Sequence, residues 1–382
     1  MKIAFIGQKG IPTQQGGIEK HVEKLSVKLV NLGFEVTVYS RPYYTRNNRK
    51  TYEYQGVKII NLPSIKTKNL DAISHTFLAT FHALFQNYDI IHYHGVGPSL
   101  MSFIPRIFKP KTKVIATFHC IDRQHQKWGA FAKLMLGLGE WSACHFPHET
   151  IAISQILKKY CYYKFDKEVN YIPNGVDILL TDSNKEEQWL KQNNLTKNNY
   201  LLAVSRLVKH KGIHTLIEAY KQIKTDKKLV IVGDGANTDD YVKQLQEMAK
   251  DNQNIVFLGL KSGEELSAIF HNAYLFVQPS EAEGLSIALL EAMAYGLPVI
   301  ISNIEENQEA TGGLALEFIK KDSQSLADQL NYALTHETTI KELATKAKNR
   351  VNHEYNWNTI TQKIAQLYCT TTHKVEAFCK IS

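Results

Sequence analysis

The chain has 382 residues, 44% of them hydrophobic, which is too long for one typical core and suits two domains of under roughly 200 residues each. No run of about 18 apolar residues occurs, and Met1-Lys-Ile-Ala-Phe-Ile-Gly7 has no apolar signal core, so neither a membrane span nor a cleaved secretory signal is expected. The net charge of +8 is uneven: Met1 to Gly175 holds 23 Lys and Arg against 11 Asp and Glu, or +12, and the remainder is −4. A basic first half argues for an anionic partner, whether a membrane surface, a lipid diphosphate or nucleic acid. Its cations are scattered and no recognised motif accompanies them, which disfavours nucleic acid. The five cysteines, Cys120, Cys144, Cys161, Cys369 and Cys379, never form a Cys-x-x-Cys pair. Neither a disulfide framework nor a zinc site is suggested, and a reducing cytoplasm is the simplest setting.

In chain order, Lys2 to Ile6 reads as a strand running into a glycine-rich loop, Gly7-Gln-Lys-Gly10 and then Gly16-Gly17. A helix from Ile18 to Leu32 follows, with Ile18, Val22, Leu25, Leu29 and Leu32 on one face, and then a strand from Glu35 to Tyr39. The loop does not fit Gly-x-Gly-x-x-Gly, and Ser40-Arg41 stand where a ribose-binding carboxylate would be, so a dinucleotide oxidoreductase is disfavoured. The paired glycines serve equally as a turn into the helix or as a substrate contact. Strands at Val57 to Leu62, Ile90 to His94, Val114 to His119 and Thr150 to Ser154 continue the series, with a helix at Ser74 to Asn87. His92-x-His94 puts two imidazoles on one strand face; no third metal ligand is evident, and satisfied polar packing is favoured. His119 ends its strand beside Cys120 and Asp122, a position expected at the mouth of a cleft. Leu100 to Lys113 joins an apolar stretch to Arg106, Lys109, Lys111 and Lys113, which suits either contact with an anionic membrane or a core helix followed by a solvated turn.

A second series begins after Asn174-Gly175, with strands at Tyr200 to Ser205, Leu229 to Val232, Ile255 to Leu258, Leu275 to Gln278 and Pro298 to Ile301. The loop Arg206-Leu-Val-Lys-His-Lys-Gly212 leaves the first of these for a helix at Ile213 to Tyr220. Arg206 and Lys211 thus emerge at the carboxyl end of a strand, where ligands bind in open parallel sheets and where two cations could neutralise a diphosphate. A solvated basic turn is the plain alternative. Pro279 and Gly284 break regular structure before a helix from Leu285 to Tyr295 that Gly296 and Pro298 close. The N–H groups of Gly284, Leu285 and Ser286 at its start form an anion site. Glu283 lies in the feeding loop and Glu291 about two turns inside, surrounded by Ile287, Ala288, Leu289, Leu290, Ala292, Met293 and Ala294, where a carboxylate needs a partner. These two carboxylates suit hydroxyls, Glu283 those of a sugar and Glu291 those of a ribose. Asp-x-Asp does not occur, so no evident carboxylate pair would hold a bridging Mg²⁺, and no cofactor is expected.

Taken together, Gly16-Gly17, Thr117-Phe-His119, Ile172-Pro-Asn-Gly-Val-Asp177, Ser205-Arg206 with Lys211-Gly212, Val232-Gly-Asp-Gly235 and the Glu283 to Glu291 segment resemble, over nearly the whole chain, the family 4 retaining glycosyltransferases of the GT-B fold. The opening loop is similar to a subgroup containing bacterial rhamnosyltransferases of polysaccharide assembly, with Gln14-Gln15 where that subgroup has an aromatic. The resemblance implies two Rossmann-like doubly wound parallel sheets facing across a cleft: an acceptor domain over 1–175, a donor domain over 176–358, and a helix in 359–382 returning to the first. It implies that Arg206 and Lys211 hold the donor diphosphate, that Glu283 contacts the sugar and Glu291 the ribose, and that His119 lies beside the sugar. Gly16, Gly17, Gly233, Gly235, Gly284, Leu285 and Ser286 complete the donor contacts. The expected reaction is metal-independent, retaining transfer of a hexose or deoxyhexose from a nucleoside diphosphate sugar to a glycan or lipid-linked glycan. An epimerase of the same fold and a non-catalytic phosphate-binding protein are the alternatives. The expected setting is cytoplasmic, with possible peripheral contact at an anionic membrane face.

Overall fold

The computed structural model describes residues 1–14, 16–67, 70–121, 123, 129–178, 182–235 and 238–374; Gln15, Asp122 and Cys379 lie outside them. The chain forms two compact units, one built from Met1–Gly175 with the stretch beginning at Trp357, the other from Val176–Asn356.

In the first unit the elements are β1 (Lys2–Ile6), α1 (Gly17–Asn31), β2 (Glu35–Ser40), α2 (Pro42–Thr45), β3 (Thr51–Tyr54), β4 (Val57–Asn61), α3 (Asp71–Leu84), β5 (Ile90–His94), α4 (Val96–Ser99), α5 (Phe103–Phe108), β6 (Lys113–Phe118), α6 (Ala130–His145), β7 (Glu149–Ala152), α7 (Gln155–Phe165) and β8 (Asn170–Tyr171). The strands form one sheet in the order β3-β4-β2-β1-β5-β6-β7-β8. All neighbours are parallel except β3, which runs antiparallel to β4 at the edge. Both faces are covered, so the inner strands are apolar at successive positions rather than alternately. Alternation still sorts the residues by face: Ile3, Phe5, Ile90 and Ile115 pack with Val22, Leu25 and Leu29 of α1, and Ala4, Ile6, Ile91, Tyr93 and Val114 with Ala79 and Ala83 of α3.

The second unit runs α8 (Ser183–Gln192), β9 (Tyr200–Val204), a 3₁₀ turn at Lys209–Lys211, α9 (Ile213–Tyr220), β10 (Lys228–Val232), α10 (Asp239–Ala249), β11 (Ile255–Phe257), α11 (Gly263–His271), β12 (Leu275–Gln278), α12 (Ile287–Tyr295), β13 (Val299–Ser302), α13 (Glu305–Thr311), β14 (Leu316–Phe318), α14 (Ser323–Thr335) and α15 (Glu337–Glu354). Its six strands are all parallel, in the order β11-β10-β9-β12-β13-β14. The last helix, α16 (Trp357–Thr372), packs with α1 in the core of the first unit through Trp357, Ile360, Ile364 and Tyr368.

Strand order reverses beside β1 in the first sheet and beside β9 in the second, where the chain leaves one side and resumes on the other. Loops at such a switch point diverge and leave a crevice at the carboxyl ends of the strands. Arg206 to Gly212 follow β9, and Pro279 to Gly284 follow β12, its neighbour across the second switch point. No helix among the described residues is long and apolar enough to cross a membrane. Cys120, Cys144 and Cys161 form no disulfide among the described residues, whereas Cys369 is disulfide-bonded, a link that the cysteine spacing did not suggest.

Candidate active site

Two contacts fasten the loops at the second switch point. The Glu281 N–H donates to the His210 carbonyl at 2.8 Å. Gly212 has φ +68°, and a Cβ there would meet the Pro279 carbonyl oxygen at 2.0 Å, so only glycine lets the backbones approach this closely. The approach delivers Lys211 Nζ to Glu283, 2.5 Å from Oε1 and 2.6 Å from Oε2. Gln278 Nε2 and the Ser280 hydroxyl each donate to the same Oε1 at 2.6 Å. The Glu283 side chain is 7% exposed and that of Lys211 14%. Burial by itself would raise the Glu283 pKa, but the charge and hydrogen bonds of Lys211, the Ser280 hydroxyl and nearby His210 outweigh it and hold the group below its ordinary value. Glu283 is therefore ionised, and the ammonium expected to stand free for a diphosphate is engaged with it. Oε1 accepts three hydrogen bonds; Oε2 accepts from Lys211 alone among the described residues. Gln278 and Ser280 were not singled out in the sequence, although polar residues closing a buried apolar strand were a usable signal.

Arg206 is exposed on the same loop and has no ion-pair partner among the described residues. Helix α12 starts at Ile287, two residues later than expected, because Ser286 caps it, its hydroxyl accepting the Leu289 N–H at 3.3 Å. The N–H groups of Ile287 and Ala288 thus join those of Gly284, Leu285 and Ser286 outside the helical ladder. Glu291 lies one turn in and is buried. Gly233, at φ +137°, passes so close to the loop after β9 that a Cβ would fall 1.8 Å from the Ser205 carbonyl oxygen, whereas Gly235 is less crowded. Near the site, Glu306 on α13 has a raised pKa, first from burial and then from the charges of Glu283 and Glu305.

In the first unit, residues at the ends of β5 and β6 meet the start of α1. Gly16 caps that helix and Gly17 begins it. His21 on α1, His94 ending β5 and His119 after β6 gather into one cluster, with nitrogens within 4.8 Å of one another. His94 Nδ1 and His119 Nε2 are 3.3 Å apart, and the His21 and His119 ring centroids 5.1 Å. His119 is buried in this cluster rather than open at a mouth. The third ring beside His94 that the sequence did not disclose is His21, brought in by the helix. Burial pushes His21 down to about 4, opposed in part by the Asn174 side chain, and holds His94 and His119 well below the ordinary range, with neighbouring imidazoles adding to it. The rings are therefore neutral, and no carboxylate among the described residues bonds to them. His92 is separate: its nitrogens meet the Tyr368 hydroxyl at 2.6 Å and the Thr117 hydroxyl at 2.7 Å, which is satisfied packing.

The glycosyltransferase family 4 model matches residues 15–178, and the model for glycosyl transferases group 1 matches residues 184–351. An uncharacterized glycosyltransferase of Methanocaldococcus jannaschii is 27% identical, over 96% of this chain and 98% of its own. The O-antigen biosynthesis glycosyltransferase WclY of Escherichia coli is 26% identical over 65% of this chain and 70% of its own. Among solved structures, Anabaena HepE in complex with UDP-glucose superposes with a TM-score of 0.81 at 21% identity, covering 97% of this chain and all of that one. With one family model on each half and a GT-B neighbour spanning both, the chain belongs to the family 4 glycosyltransferases and is a sugar transferase of GT-B fold.

Proposed function

We propose that the protein transfers a hexose or deoxyhexose from a nucleoside diphosphate sugar to a hydroxyl of a glycan or lipid-linked glycan, with retention of anomeric configuration and without a bridging metal ion, in the assembly of a cell-surface polysaccharide at the inner membrane face. The observation that carries this reading is the group of charges at the second switch point: a guanidinium with no ion-pair partner among the described residues, an ammonium fixed on a buried carboxylate, and the N–H groups leading into α12 that lie outside its helical ladder. As the nucleoside diphosphate departs, negative charge grows on phosphate and oxocarbenium character on the sugar. Arg206 can grip phosphate oxygens bidentately, Lys211 adds a point charge, and the α12 terminus adds its dipole. Glu283 Oε2 has acceptor capacity left for a sugar hydroxyl, and Glu291 serves the ribose. The absence of Asp-x-Asp from the sequence supports leaving-group stabilisation by these residues rather than by Mg²⁺. The UDP-glucose bound by a structural neighbour and the O-antigen role of a relative support the donor and acceptor classes.

The test is product stereochemistry, read by NMR from a donor of known anomeric configuration, with and without EDTA. Retention, at a rate unchanged by EDTA within a factor of about two, is the expected result, since a bridging metal would contribute several kcal/mol. Inversion, or loss of activity in EDTA restored by Mg²⁺, would overturn the mechanism.

A further inference from the structure

Helices α3, α5, α6 and α7 form one connected layer on the first unit, α3 touching α4 and α5, α4 touching α6, and α6 touching α7. A surface helix turns its apolar stripe to the core and charges to water. Here two helices carry a second apolar stripe outward. Phe77 and Phe81 on α3 and Phe85 at its C-cap recur every four residues with ring centroids 6.3 and 5.3 Å apart, and Phe85 is 73% exposed. On α6, Phe131, Leu134, Leu138 and Trp141 follow helical spacing, all exposed, Phe131 at 75% and Leu134 at 61%. Phe108 of α5 and Tyr163 of α7 are also exposed. Such a set exceeds the isolated apolar residues of an ordinary surface and marks an interaction face.

Charge says what covers it. From the start of α3 to the end of α7, residues 71–165, there are ten Lys and Arg against five Asp and Glu, and Asp71 is paired with Arg41 at 2.6 Å. Of the acids, Glu140 is fully buried, held by Lys164 at 2.9 Å and Arg123 at 3.1 Å. Glu149 bonds Asn170, Asp89 bonds Lys374 and the Lys2 N–H, and Asp122 lies outside the described residues. Lys111, Lys133, Lys158 and Lys159 are exposed without ion-pair partners among the described residues, while Lys109 is occupied with the carbonyls of Leu84 and Gln86 that end α3. Projecting aromatics among unpaired cations complement an acyl and anionic-headgroup boundary. The Leu100 to Phe108 stretch is then no core helix: α5 begins only at Phe103, and Ile107 and Phe108 point to solvent. We propose that this helical layer, chiefly the outward stripes of α3 and α6, docks the protein on an anionic lipid bilayer.

The experiment is co-sedimentation of the full chain with phosphatidylcholine vesicles, with and without an equal share of phosphatidylglycerol. Binding to the mixed vesicles should exceed binding to pure phosphatidylcholine by at least about tenfold at low ionic strength and weaken in high salt. Phe81→Ser with Phe131→Ser and Leu134→Ser should reduce it by about tenfold or more, and Lys133→Glu with Lys158→Glu and Lys159→Glu should abolish the lipid preference. All six positions are exposed, so circular dichroism and Tm should match the parent. Equal binding to both vesicles, no binding to either, or unaltered binding by both variants would overturn the proposal. So would a dimer in sedimentation velocity that the apolar variant dissolves without vesicle binding by the parent, since the face would then join two copies of the chain.

Discussion

Lys211 and Arg206 share a loop but differ in what their removal does. Burial would raise the Glu283 pKa, and Lys211 leads the groups, with the Ser280 hydroxyl and His210, that outweigh it and keep the carboxylate charged. Lys211→Ala should strand a buried carboxylate at a cost of about 3 kcal/mol in fold stability. The sign with pH then reverses. In the parent, the depressed pKa of Glu283 contributes stability above its ordinary value of 4.5, lost as pH falls through the folded pKa. In the variant, burial raises the pKa, so the defect should be large at pH 8 and shrink toward pH 5. Denaturant unfolding of both proteins at the two pH values checks this, and a gap that does not narrow would contradict the pairing. Arg206→Ala removes an exposed side chain with no ion-pair partner among the described residues, so its stability should stay within about 0.5 kcal/mol of the parent. Its kcat/KM should fall at least about tenfold, or about 1.4 kcal/mol, in steady-state kinetics.

At the scale of elements, the switch-point site exists because the loops after β9 and β12 touch at Gly212. Gly212→Ala would force its methyl group into the Pro279 carbonyl and shift Lys211, so both Tm and kcat/KM should drop. Gly259→Ala is the control: φ is +65°, but no atom lies within 4 Å, so it should cost only the left-handed backbone penalty of about 1–2 kcal/mol. A second consequence concerns the first unit. Burial holds His21 and His75 to about 4 and His92 to about 3. Because the unfolded chain takes up these protons near pH 6.5, stability is full above that value and falls as the pH drops toward 4, by about 2 kcal/mol per group at pH 5. His75→Gln should flatten this loss in an acid titration of Tm; an unchanged slope would show that the ring is not titrating in the unfolding reaction. Most strands were legible in the sequence to within one or two residues, because chains buried on both faces read as unbroken apolar runs. The short β3, β8 and β14 were missed: β3 alternates exposed Thr51 and Glu53 with half-buried Tyr52 and Tyr54 but over four residues only, and the others have too few residues to show a pattern.

Across the whole molecule, the sequence disclosed which residue types stand at the carboxyl ends of strands, but not which of them meet. Lys211 and Glu283 are 72 positions apart, and His21, His94 and His119 come from three separate elements. Only the strand order joins them, and that order depends on crossovers that local pattern does not encode. The asymmetry of charge, +12 against −4, was plain from composition, but the outward stripes on α3 and α6 were not, because an apolar stripe looks the same whether it faces a core or water. Transfer through the Arg206, Lys211 and Glu283 site is tested most directly by nucleoside diphosphate release from a sugar nucleotide that stabilises the protein, with and without a glycan or lipid-linked acceptor, in the parent and in Arg206→Ala and Glu283→Gln. The expected result is release by the parent only when acceptor is present, lowered at least about tenfold in both variants. Release that ignores the acceptor, or near-parental release by both variants, would contradict it.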